Sequence, residues 1–248
     1  NSITLQWNKN TSATGYELQK WNGKKWVALT KITKNSTTTY TVKSLKASST
    51  YKYRIRAYKT IGKATQYSGY KELSVNTNPS NMSGFKAKSK SYNSITLQWN
   101  KNTSATGYEL QKWNGKKWVA LTKITKNSTT TYTVKSLKAS STYKYRIRAY
   151  KTIGKATQYS RYKELSVNTN PSNMSGFKAK STAKTSVTLQ WKKNTSATGY
   201  EIQKWNGKKW VSAAKVTRNS TVTSTVKNLK KNTSYKFRIR AYKTIGKA

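Results

Sequence analysis

Residues 45–58 read LKASSTYKYRIRAY. After a short polar turn, apolar and charged residues alternate strictly. Tyr51, Tyr53, Ile55 and Ala57 fall on one face, and Lys52, Arg54, Arg56 and Tyr58 on the other. That period of two is the signature of a strand with one buried face. The stretch returns at 137–150 and, with substitutions, at 229–242, so the chain repeats every 92 residues. Residues 1–92 and 93–184 differ only at Gly69 against Arg161 and at 90–92 against 182–184. A period this long is a whole domain, since solenoid repeats run about 20 to 50 residues.

Outward from that stretch, every candidate element is extended. SITLQW (2–7) places Ile3, Leu5 and Trp7 on one face, which makes Trp7 a core residue. TTYTV (38–42) turns Tyr40 and Val42 inward, KELSV (71–75) Leu73 and Val75, and GFKAK (84–88) is a weaker strand through Phe85 and Ala87. Threonine, tyrosine, valine and tryptophan abound, as strands prefer. No segment has a helical period. Several short strands at regular spacing predict an all-β sandwich.

The stretch WNGKKW (21–26, 113–118, 205–210) marks a hairpin. Asn22-Gly23 suits a two-residue type I′ turn, whose central residues both need positive φ. That register sets Trp21 against Lys24, Lys20 against Lys25, Gln19 against Trp26 and Leu18 against Val27. Tyr16, Leu18, Val27 and Leu29 then point inward. Trp21 and Trp26 become diagonal neighbours on the outer face with Glu17 and Gln19.

These features resemble the fibronectin type III domain. An inward tryptophan (Trp7) is followed by GYELQ (15–19) as strand C. Leu45 to Tyr58 is similar to the family's leucine–turn–tyrosine stretch before strand F, with Ala47 and Ser48 where the family usually carries proline and glycine. The resemblance implies that Tyr51 is a corner tyrosine whose hydroxyl bonds back to the chain. It implies tandem immunoglobulin-like β-sandwiches arranged as a rod. Residues 1–79 form a domain lacking strand A, 80–171 a complete domain, and 172–248 a domain lacking strand G. Pro79 and Pro171 stiffen short linkers. The lysine- and asparagine-rich, cysteine-free style is similar to bacterial versions of the family, which implies an extracellular or bacterial cell-surface setting. The opening, in the middle of a strand, reads as a segment of a longer protein.

Composition narrows function. The chain has no cysteine, histidine or aspartate, and its five acidic residues are glutamates. There is no imidazole base, thiolate or metal-binding cluster, so neither an enzyme nor a cofactor is expected. No segment is long and apolar enough for a transmembrane helix. The formal net charge is +45, or about +15 per unit, beyond the roughly 2 to 8 that solubility requires. An anionic polymer is the expected partner, whether cell-wall polymer, acidic polysaccharide or nucleic acid.

The candidate ligand-binding face is Trp21, Lys24, Trp26, Arg54 and Arg56, repeated as Trp113, Lys116, Trp118, Arg146 and Arg148, and as Trp205, Lys208, Trp210, Arg238 and Arg240. Two roles are open. In a ladder, arginine planes lie over indoles and Glu17 pairs with Arg56 or Arg54. In a platform, the indoles stack on sugars or bases. The ladder is preferred, within a non-catalytic spacer or scaffold array whose basic faces adhere to anionic polymers. The alternatives are a carbohydrate-binding or adhesin module acting on neutral carbohydrate through the WNGKKW hairpin, and self-assembly through open sheet edges.

Overall fold

The computed structural model describes residues 1–246. The first unit contains β1 (Ile3–Gln6), β2 (Gly15–Trp21), β3 (Trp26–Ile32), β4 (Thr39–Val42), β5 (Thr50–Ile61), β6 (Ala64–Tyr67) and β7 (Lys71–Asn76). The second contains β8 (Lys86–Lys90), β9 (Ile95–Gln98), β10 (Gly107–Trp113), β11 (Trp118–Ile124), β12 (Thr131–Val134), β13 (Thr142–Ile153), β14 (Ala156–Tyr159) and β15 (Lys163–Asn168). The third contains β16 (Lys178–Ala183), β17 (Ser186–Gln190), β18 (Gly199–Trp205), β19 (Trp210–Val216), β20 (Thr223–Val226) and β21 (Phe237–Tyr242). There is no helix among the described residues, as the period-two patterning requires.

Each unit is two antiparallel layers over its own core. In the second, β8, β9 and β12 form one sheet, and β10, β11, β13, β14 and β15 the other. Ile95, Leu97 and Trp99 from the first layer meet Tyr108, Leu110, Tyr145 and Ile147 from the second, all essentially sealed from solvent. Fully burying one such aliphatic side chain stabilises by about 1.5 to 3 kcal/mol. Three separate cores account for the large total surface of 15909 Å². A single globule of 28.2 kDa would expose about 11,000 Å².

Two tyrosines per unit fix the loops. The corner hydroxyl of Tyr51 accepts a hydrogen bond from the Lys46 amide at 2.9 Å. Tyr143 repeats this with Lys138 at 2.8 Å and Tyr235 with Lys230 at 2.7 Å. The turn before it needs left-handed backbone, which Ser48, Ser140 and Asn232 supply at φ 52°, 50° and 52°. Deeper in, the Tyr108 hydroxyl accepts from the Asn102 amide (2.9 Å) and donates to the Asn127 carbonyl (2.8 Å), joining two loops.

Three expectations about side-chain placement fail. The first concerns the hairpin turn. Gly23 has φ 101° but Asn22 does not take positive φ, so the turn is not type I′. Four residues, Asn22–Lys25, form the loop, and Trp21 stands directly opposite Trp26, Lys20 opposite Val27 and Gln19 opposite Ala28. The Asn22 side-chain oxygen accepts from the Lys24 and Lys25 amides at 3.0 and 2.9 Å, an Asx-type closure that competes with the tighter turn. A bulge between Leu18 and Gln19 absorbs the offset: Leu29 still packs on the core, but Val27 is only half-buried. The second concerns Tyr58, which lies on the outer side yet is buried, because its partner Gly15 has no side chain. A Cβ on Gly15 would collide with the Ile32 carbonyl and come within 2.8 Å of the Tyr58 hydroxyl. The third concerns Leu73, which is 53% exposed. Its equivalent Leu165 packs on a core where β8 lies near β15. The smaller sheet of the first unit has only β1 and β4.

Two substitutions in the second unit should act in opposite directions. Gly107 makes the same close approach to the Ile124 carbonyl and the Tyr150 hydroxyl, so Gly107→Ala should cost more than about 2 kcal/mol. The Tyr145 hydroxyl is buried without a hydrogen-bond partner. Burial, and then neighbouring Tyr143, push its ionisation upward, and the third unit carries Phe237 at the equivalent place. Removing an unsatisfied hydroxyl relieves a desolvation penalty, so Tyr145→Phe should gain about 1 kcal/mol. Urea unfolding of the full chain measures both.

Candidate functional site

The outer face of the larger sheet gathers the predicted residues because β5 lies beside β2 in fixed register. Glu17 pairs with Arg56 and Gln19 with Arg54, each directly across the strands. The Arg56 Nε–H donates to the Glu17 carboxylate at 2.5 Å, and the Arg54 Nε–H to the Gln19 side-chain oxygen at 2.8 Å. Of the two glutamate–arginine pairings open from sequence, the structure selects Arg56. The same contacts recur: Arg148 with Glu109 at 2.9 Å and Arg146 with Gln111 at 2.7 Å, then Arg240 with Glu201 at 2.6 Å and Arg238 with Gln203 at 2.7 Å.

The arginine planes are also stacked. Arg54 lies 4.7 Å from the Trp26 ring centre and 3.9 Å from that of Tyr70. Arg56 lies 3.7 Å from Tyr67 and 4.6 Å from Tyr70. In the second unit Arg146 sits on Trp118 (4.6 Å) and Tyr162 (3.9 Å), and Arg148 on Tyr159 (3.7 Å) and Tyr162 (4.7 Å). Each contact of this kind is worth about 0.5 to 2 kcal/mol. The indoles close the row edge to face, with ring centres 5.4 Å apart for Trp21–Trp26 and 5.5 Å for Trp113–Trp118 and Trp205–Trp210.

Tyr67, Tyr70, Tyr159 and Tyr162 are the residues that sequence reasoning missed. They lie where β5 and β13 run on past the sheet and fold back. The returning chain pairs first as β6 or β14 and then, beyond a short break, as β7 or β15. In the break, Ser160 accepts from the Ala149 amide through its hydroxyl and donates its own amide to the Ala149 carbonyl, both at 2.9 Å. The phased spacing of Tyr67 and Tyr70 beside two outward arginines was the available signal. In the third unit Arg238 still lies on Trp210 at 4.5 Å, and among the described residues no ring lies over Arg240. The Arg240 side chain is 69% exposed, against 23% for Arg56 and 26% for Arg148.

Lys24, Lys116 and Lys208 stand apart from this ladder, at the exposed hairpin tips, where their amides close on Asn22, Asn114 and Asn206. The five glutamates form no cluster: among the described residues no group of three or more potential metal-ligating side chains occurs. Among the described residues no helix is long and apolar enough to cross a membrane.

The ladder makes Glu201 titrate low. Hydrogen bonds from Arg240, and then from Gln203, hold its carboxyl below the ordinary value of 4.5. A depressed folded value adds stability above the ordinary carboxylate range, and that contribution disappears as pH falls through the folded value. Carboxyl-detected NMR should show Glu201 titrating below 4.5, with Arg240→Ala moving it back up. In the second unit, Tyr162→Ala removes one of the two rings on each arginine and should cost about 1 to 2 kcal/mol, whereas Tyr162→Phe keeps most of the stacking; thermal unfolding separates the two.

Over 264 aligned residues, 98% of the chain is 25% identical to Exoglucanase B of Cellulomonas fimi, and it spans 23% of that protein's length. Among solved structures, the FN1–FN3 domains of chicken CNTN1 match at 18% identity and a TM-score of 0.36, over 98% of this chain and 89% of that one. A two-domain fibronectin type III segment of chicken tenascin matches at 16% identity and a TM-score of 0.40, over 66% of this chain and 93% of that one. The family model for the fibronectin type III domain matches residues 1–70, 78–164 and 170–248, and the chain belongs to that family as three tandem domains.

Proposed function

We propose that the chain is a non-catalytic spacer array of a secreted or surface-exposed bacterial protein, and that its basic faces hold it to anionic polymer. One observation carries this reading. The outer-face arginines of the first two units are held by glutamine, glutamate and tyrosine, and most of the charge left to solvent is lysine. Among the described residues, four Lys and Arg side chains lie within ion-pair distance of a carboxylate: Arg56, Lys123, Arg148 and Arg240. A field of this sign raises the local concentration of polyanions without demanding a particular sequence in them.

The junctions support the spacer part. Pro79 restricts the first linker, and the Ser48 hydroxyl of the first unit donates to the Ser104 carbonyl of the second at 2.6 Å. At the second junction Pro171 restricts the linker in the same way. The relative that matches along nearly the whole chain is an exoglucanase of which the matched stretch is under a quarter. That proportion suits a series of domains set beside a separate active site on a polysaccharide, and it is the basis for the secreted, bacterial setting.

Small-angle scattering and polymer binding test the two halves together. Three modules of about 30 Å each, from strands of about eight residues, should give a maximum dimension near 90 Å or more. Binding to polyphosphate should be strong at about 50 mM salt and fall linearly in log–log terms as salt rises. A compact particle would remove the spacer. Absent or salt-insensitive polyphosphate binding would remove the electrostatic adhesion.

A further inference from the structure

The two indoles of each hairpin are not equivalent. Trp26, Trp118 and Trp210 are each capped by an arginine plane. Among the described residues no cation lies over Trp21, Trp113 or Trp205. Trp21 instead borders an open groove of about 620 Å³ at the end of the larger sheet, where the hairpin overhangs the start of β5. Val27 and Tyr51 extend its apolar wall, and Lys20, Lys46 and Lys52 surround it. No acidic side chain lines it. Lys20 reaches over the Tyr51 ring, with its ammonium 4.9 Å from the ring centre, so one positive charge is held against the wall. Lys112 over Tyr143 (4.6 Å) and Lys204 over Tyr235 (5.3 Å) repeat that placement. The other two lysines recur as Lys138 and Lys144, and as Lys230 and Lys236, even in the third unit, where much else has changed.

We propose that this groove is a subsite for an acidic polysaccharide: Trp21, Trp113 and Trp205 each take the apolar face of one sugar ring, and the surrounding lysines take the ring's carboxylates. The inference rests on the polyanion reading above and narrows it to one polymer class. A pyranose presents C–H bonds on one face and can use a single uncapped indole, while a carboxylated ring offers an anion at the same level for a flanking ammonium. Single-stranded nucleic acid also combines stacking with negative charge, but its binders offer several aromatic platforms to successive bases. Here there is one uncapped indole per unit, at 92-residue steps. Three weak subsites on one chain suit a long polymer with repeated sugars, through effective concentration.

The test compares polygalacturonate, polyphosphate and oligo(dT) on the full chain at about 0.3 M salt, where purely electrostatic binding is weakened. The expected result is that polygalacturonate binds at least about tenfold more tightly than the other two at matched charge. The triple variant Trp21→Ala, Trp113→Ala, Trp205→Ala should remove that preference, while low-salt binding to polyphosphate stays as in the parent. The triple variant Lys46→Gln, Lys138→Gln, Lys230→Gln leaves every aromatic in place and should weaken polygalacturonate binding several-fold. It also decides the matter if the alanine variant does not fold. Equal affinity for all three polymers, a preference for oligo(dT), or wild-type polygalacturonate binding by a folded variant overturns the subsite and leaves general adhesion standing. Failure to bind polyphosphate even at low salt strikes the underlying polyanion reading instead.

Discussion

The strand that runs through the middle of each larger sheet has to serve two opposed environments. On its inner side β13 supplies Tyr145, Ile147 and Ala149 to the core. On its outer side it presents Arg146 and Arg148, two cations three bonds of backbone from a dry interior. A guanidinium there needs its charge met and its faces covered. The neighbouring strand provides Gln111 and Glu109 in register, and the returning chain provides Tyr159 and Tyr162. Both needs are met by residues set directly across the sheet, so the register of β10, β13 and β15 and the outer ladder sustain each other.

The three near-copies act as internal controls. Where both tyrosines are present, in the first two units, the arginine bound to glutamate is about one-quarter exposed; where neither lies over it, in the third, that arginine opens to solvent. The Tyr53 and Tyr145 hydroxyls are buried without partners, while Phe237 fills the same place with no polar atom. Identical short sequences therefore meet different surroundings.

The hairpin divides its two tryptophans between structure and surface. Once Trp21 and Trp26 stand opposite one another, the arginine of the adjacent strand reaches only the nearer ring. The farther ring lies beyond the last paired residues of β2 and β5, beside lysines that no carboxylate neutralises. An aromatic wall and an uncompensated charge are thereby placed side by side at the same end of each unit. In an otherwise lysine-covered surface, that is where chemistry more selective than bulk attraction is available.

Much of this was legible in the residues themselves. Alternation through Tyr51–Ala57, the inward Trp7 and the 92-residue period determined an all-β chain of repeated sandwiches, since period two admits only one way to bury a face. The corner hydroxyl of Tyr51 and the pairing of Glu17 with an arginine were likewise within reach. Other features were decided only in three dimensions. The turn at Asn22-Gly23 depends on an asparagine side chain choosing the Lys24 and Lys25 amides, which turn statistics do not encode. Tyr58 is buried because Gly15 leaves space across the strand. Tyr67 and Tyr70 cover the arginines because the chain folds back over its own long strand. Periodicity fixes the face a residue takes within its own strand. What covers that face comes from strands distant in sequence, and only their packing reveals it.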